Sequence, residues 1–140
     1  MSGDAPNASS KPSASRKRLN FSRRSRLLRH ADFDRVYRQG RRHFAAHITV
    51  FYLGRPEGDG PRVGFTVGRA LGGAVVRNRM KRRLREAVRL HLAGMMAPMD
   101  IVINPKKSML EIEFSELCKE VARSFDVIQK FADKQPPAAR

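Results

Sequence analysis

Residues 72–91 read GGAVVRNRMKRRLREAVRLH, and how this stretch folds decides the architecture. At 100° per residue Val76, Met80, Leu84, Ala87, Val88 and His91 fall within one narrow arc, so a helix with an apolar stripe begins near Ala74 and runs to about residue 92. The glycines ahead of it permit a tight or left-handed backbone at its entry. Upstream, RVGFTVG (62–68) sets Val63, Phe65 and Val67 on one face of a strand. Downstream, MDIVINP (99–105) is a short apolar run closed by Asn-Pro. It reads as a buried strand that enters the sheet after a helical crossover.

Working outward, RPEGDGP (55–61) is a turn, and RRHFAAHITVFYL (41–53) is one long strand or two broken ones. With RVGFTVG it reads as a hairpin across that turn. In ADFDRVYRQG (31–40), Phe33, Val36 and Tyr37 share a helical face and Gly40 supplies the stop. Ser108 and Glu111 have capping-box spacing ahead of a last helix carrying Phe114, Leu117, Cys118, Val121, Phe125 and Ile128. The order is α, β, β, α, β, α, or αβββαβα with the first strand split. The expected class is an α/β (α+β) sandwich, a small central sheet covered by helices. Residues 1–20, rich in Ser, Ala, Pro, Lys and Arg, read as a disordered basic tail, 21–131 as the folded domain, and 132–140 as a second tail.

With 140 residues and 41% apolar content the chain has room for one core, yet Lys+Arg 29 against Asp+Glu 13 leaves a formal charge of +16. Such a field calls for a polyanion. No run of 18 apolar residues exists and the first residues lack an apolar signal segment, so no membrane role is expected. A single cysteine excludes a disulfide framework or thiolate metal cluster and fits a reducing, cytoplasmic setting.

The charge on residues 75–90 is concentrated: seven Arg or Lys surround one acid, Glu86. Asn78, Lys81, Arg82, Arg85 and Arg89 point away from the stripe, with Arg77, Arg79 and Arg83 at its edges. A solvated face is the common fate of a charge run. Here Arg77/Lys81, Lys81/Arg85, Arg85/Arg89 and Arg79/Arg83 are like-charge i, i+4 pairs costing roughly 0.2–0.5 kcal/mol each, and cations in the first turn oppose the helix dipole. A helix built for solubility would mix in acids. The prevalence of Arg, whose fork grips phosphate oxygens two at a time, points to folded nucleic acid.

The run GGAVVRNRMKRRLREAVR resembles the signature of the bacterial ribonuclease P protein subunit, usually G-N-A-V-x-R-N-R-x-K-R, and the resemblance extends over about residues 21–130. It implies an α/β sandwich of a kind shared with a ribosomal protein domain, with a left-handed βαβ crossover where the general expectation is right-handed. It also implies that Arg69, Arg77, Asn78, Arg79, Lys81, Arg82 and Arg85 face the catalytic RNA. A cleft holding the single-stranded 5′ leader of precursor tRNA would carry over to Phe33, Tyr37, Phe51 and Arg41. The partners implied are the catalytic RNA and precursor tRNA, with no obligatory protein partner. Catalysis, with Mg²⁺ as cofactor, would belong to the RNA, leaving no catalytic residue in the protein. The chain departs from the pattern at Gly73, where Asn is usual, and at Ala70, where a second basic residue is common.

Read without the resemblance, Phe33, Val36 and Tyr37 are simply core. His43 and His47 stand four apart in a strand region, where that spacing does not converge two imidazoles, so no metal site is expected. Cys118 reads as a small buried hydrophobe. The rivals are a structural RNA-binding protein of ribosomal type, which composition alone favours, and a protein-only nuclease, disfavoured by the lack of an acidic metal cluster.

Overall fold

The computed structural model describes residues 25–134 except 28, 57 and 59. The elements run α1 (His30–Gln39), β1 (Arg41–Phe44), β2 (Ile48–Gly54), β3 (Arg62–Phe65), α2 (Ala74–His91), β4 (Met99–Pro105) and α3 (Phe114–Lys134). They build one four-stranded mixed sheet in the order β1-β2-β4-β3. β1 and β4 run antiparallel to β2, and β3 runs parallel to β4 with α2 in the connection between them.

The expected hairpin between β2 and β3 does not form, because β4 lies between them. The turn at 55–61 reverses the chain but does not choose its neighbour. β4, buried at every position but Asn104, takes the centre, where both faces of a strand are covered. Arg55 fastens the turn to it: its backbone N–H donates to Pro98 O at 2.8 Å and its Nη1 donates to Met99 O at 3.1 Å. The hairpin that exists is β1–β2, closed where Ala45 N donates to Ile48 O at 3.0 Å; the segment 41–53 is therefore two strands broken at 45–47.

Side-chain alternation assigns the helices to faces. Ile48, Val50 and Tyr52 of β2, with Ile101 and Ile103 of β4, join Met80, Leu84 and Val88 of α2 and Leu117, Val121 and Ile128 of α3 in the main core. The opposite face carries a smaller cluster of Leu27, Val36 and Val102 with Phe33, Phe51 and Leu53. One short helix, α1, thus covers one face, and α2 and α3 cover the other. α1 can lie close because Gly64 has no side chain: a Cβ there would stand 2.4 Å from Phe33 Cζ.

Two expectations on the last helix are revised. Ser108 Oγ lies 2.7 Å from His47 Nδ1 and α3 starts only at Phe114, so Ser108 and Glu111 form no capping box. The helix also runs to Lys134, with Phe131 and Ala132 packed on the core, so residues 132–134 belong to the fold. The basic tail expected at 1–20 lies outside the described residues.

At the start of β4, Asp100 is wholly buried and carries a charge the apolar reading of MDIVINP overlooked. Arg62 grips both carboxylate oxygens at 2.8 Å from Nε and Nη2, Arg55 Nη1 donates at 2.8 Å, and Arg35 of α1 stands at 3.4 Å. Arg35 also pairs with Asp32 at 2.8 Å. Burial pushes the Asp100 carboxyl up, but the hydrogen bonds from Arg62 and Arg55 outweigh it and hold the group below the usual carboxylate range. A carboxyl depressed on folding stabilises the protein above its unfolded value, about pH 3.9, and that contribution is lost as pH falls through the lower folded value. Asp100→Asn leaves the three guanidinium groups without their shared counter-charge. Urea unfolding at pH 7 is expected to show a loss of about 3–5 kcal/mol, and the variant's stability should fall less steeply than the parent's below about pH 4.

Candidate nucleic-acid interface

α2 buries Met80, Leu84, Ala87 and Val88 against the sheet, with Val76 and His91 at the margins, which is the stripe read from the sequence. Its cations divide into two groups. Arg83 donates from Nη1 to Met109 O at 2.9 Å and from Nη2 to Ile112 O at 2.8 Å, pinning the link between β4 and α3. Arg77 donates from Nε to Gly72 O at 3.0 Å, and Arg89 pairs with Glu86, whose carboxyl that hydrogen bond holds below its usual range. These three are occupied within the fold. The side chains of Asn78, Arg79, Lys81, Arg82 and Arg85 make no hydrogen bond or ion pair with another described residue, and all but the half-buried Lys81 are exposed.

The entry to α2 adds to this positive face. Gly72 takes φ +145°, a conformation other residues rarely adopt, and its carbonyl receives Arg77. Gly73 at the N-cap offers no side chain, the first turn holds no acid, and the exposed Arg69 stands in the preceding turn, Arg69–Leu71. The entry thus joins an acid-free helix N-terminus to an exposed arginine, a combination suited to phosphate.

On the other side of the sheet, Tyr37 meets Phe51 edge to face with ring centroids 4.9 Å apart. The Tyr37 hydroxyl lies 2.6 Å from Thr66 Oγ1 and 3.0 Å from Asn104 Oδ1. Phe33 is half-buried over Gly64. α1 lies across β2 and β4 on this face, with Phe33 reaching Gly64 of β3. Toward the edge strand β1 it is exposed at Arg42 and Phe44, and the register brings Arg42 beside Phe51 and Phe44 beside Thr49 there.

Arg41, expected in the same cleft, is on the wrong side. It pairs with Tyr52, which faces the α2–α3 core, and its guanidinium sits 4.8 Å over the Phe131 ring of α3. The one-residue alternation of β1 gives the cleft face to Arg42. Sequence reading also missed Thr66 and Asn104. A polar residue late in each of two largely apolar segments, 62–68 and 99–105, was the available signal.

His47 lies in the β1–β2 break, with its Nδ1 against Ser108 and its Nε2 3.7 Å from the buried Glu120, while His43 is in β1. Among the described residues no three His, Cys, Asp or Glu side chains gather in a way that could hold a metal ion. Asp32 and Asp100, which share arginine partners, are already neutralised. Burial pushes the Cys118 thiol up, away from nucleophilic use. No helix among the described residues is long and apolar enough to cross a membrane.

A family model described as Ribonuclease P matches residues 21–129. The chain is 45% identical over 102 residues to the ribonuclease P protein component of Acidothermus cellulolyticus, spanning 71% of this chain and 84% of that one. It is 43% identical over 101 residues to that of Symbiobacterium thermophilum, spanning 72% and 88%. Among solved structures, the RNase P protein of Staphylococcus aureus superposes with a TM-score of 0.66 at 26% identity, covering 75% of this chain and 95% of that one. The RNase P protein of Thermotoga maritima gives 0.66 at 25% identity, covering 73% and 96%.

The division of the α2 arginines is open to direct check. Arg83→Ala strips two carbonyls of a charged donor and is expected to lower stability by about 1.5–3 kcal/mol for each hydrogen bond removed, an upper range because water can replace part of it. Arg82→Ala and Arg85→Ala should stay within about 0.5 kcal/mol in the same denaturant titration.

Proposed function

Because this chain belongs to the ribonuclease P protein family, it is the protein component of a ribonucleoprotein endonuclease that associates with the ribonuclease P RNA, and we propose that it meets two RNA strands on opposite sides of one sheet. The outer face of α2 and its entry turn, through Arg69, Asn78, Arg79, Lys81, Arg82 and Arg85, bind the catalytic RNA. Arg77 shapes that turn through its bond to the Gly72 carbonyl. The margin of the α1 face toward β1, with Tyr37, Phe51 and Arg42, receives the single-stranded 5′ leader of precursor tRNA. The observation that carries this reading is the set of α2 cations left without partners among the described residues, backed across the sheet by the Tyr37–Phe51 aromatic pair.

On this reading the protein contributes binding and electrostatics. Cations on α2 screen repulsion between phosphates of the folded RNA. Aromatic rings on the sheet stack on unpaired bases and a neighbouring guanidinium takes up phosphate charge, so affinity is added for a strand the mature product no longer has. Activation of water is assigned to Mg²⁺ held by phosphates of the RNA subunit, since the carboxylates that share partners in the protein are already engaged by arginines. Acting on precursor tRNA, the protein would work in the cytoplasm.

A cleavage assay with and without the RNA subunit tests the whole reading: 5′-leader removal should need the RNA and be improved by the protein. Activity from the protein alone would favour a protein nuclease, and no effect of the protein on cleavage would favour a structural RNA-binding role. Tyr37→Ala with Phe51→Ala should weaken precursor binding by at least roughly tenfold while leaving mature tRNA binding nearly unchanged. Arg79→Ala and Arg82→Ala should each reduce the salt slope of binding to the catalytic RNA by about 0.7–0.9 for every phosphate that is no longer neutralised; an unchanged slope would remove those residues from the RNA-binding face.

A further inference from the structure

Among the described residues Phe44 has no packing role that explains it. It is 67% exposed at the end of β1, the open edge of the sheet, and belongs to neither apolar cluster. An uncovered ring on an edge strand invites unwanted pairing unless something covers it in use. Strand register sets Phe44 beside Thr49 and Arg42 beside Phe51, so the ring shares the face of the Tyr37–Phe51 pair but lies beyond the reach of α1. The Arg42 guanidinium stands 5.6 Å from the Phe44 ring centroid. The strand itself reads Arg-Arg-His-Phe, in a chain of net charge +16. A flat apolar surface beside a cation, within so positive a field, suits a flat anionic partner.

We infer that Phe44 is an additional base-stacking site, taking one unpaired nucleotide of the strand that lies along the Tyr37–Phe51 face, with Arg42 receiving that nucleotide's phosphate. The inference rests on the leader reading above and extends it to the sheet edge. The test uses holoenzyme reconstituted with the RNA subunit and precursors whose leaders lengthen one nucleotide at a time from none. Phe44→Ala is expected to weaken precursor binding roughly 5- to 100-fold, and only once the leader passes a threshold length. Phe44→Trp should keep the affinity. Because the chain contains no tryptophan, that lone indole should also lose emission as the leader crosses the same threshold.

A Phe44→Ala penalty equal at every length, mature tRNA included, would overturn the inference, and so would the absence of both penalty and quenching. Phe51→Ala separates the two ideas. If it still weakens binding only when a leader is present, the leader reading stands without Phe44. If neither variant shows any dependence on the leader, the leader reading falls with it.

Discussion

A carboxylate with no exposure can sit in the middle of this sheet only because three arginines from three different elements surround it. Asp100 of β4 draws in Arg62 from β3, Arg55 from the turn after β2 and Arg35 from α1. Removing a charge from water costs several kcal/mol, and only close ionic hydrogen bonds repay it. The chain must therefore bring these parts together or leave the charge stranded. That requirement ties the β2–β3 turn across the end of β4 and holds the start of α1 against the sheet. At the far end of α1 the Tyr37 hydroxyl meets Thr66 and Asn104. The helix is thereby anchored across β2 and β4, and the face toward the edge strand β1 is left exposed at Arg42 and Phe44.

The sheet then acts as a partition. Alternate side chains of β2 and β4 feed two separate apolar clusters, one under α2 and α3 and one under α1. On one side arginines unmatched by acids wait on a convex helix, a shape that suits the outside of a folded RNA. On the other, rings and a guanidinium line a shallow platform, which suits a strand with unstacked bases. On the proposed reading, a lasting RNA partner and a transient one would be held at once without competing for the same residues.

Much of this was readable from residue order. The stripe Val76, Met80, Leu84, Ala87, Val88 gave α2 its face, and the glycines ahead of it allowed the entry turn in which Gly72 takes a positive φ. The neighbours of β3 were not readable, because a turn at 55–61 is compatible with any partner strand and only burial of β4 on both faces resolves the choice. Arg41 and Arg42 differ by one position in a four-residue strand, where local sequence does not fix which side faces the helix pair. Arg77 and Arg83 stood with Arg79 at the stripe's edges on a helical wheel, yet the carbonyls of Gly72, Met109 and Ile112 claim them from outside the helix. Asp100 was hidden by its apolar neighbours, since its arginines lie 38, 45 and 65 positions away.

The partition can be probed in a single experiment. A photocrosslinking amino acid in place of Arg82, on the outer face of α2, and in a second protein in place of Thr49, on the open sheet face, would be activated in holoenzyme loaded with precursor tRNA. Position 82 is predicted to crosslink to the RNA subunit and not to the leader, and position 49 to the leader and not to the RNA subunit. Capture of the same strand from both positions would contradict the account.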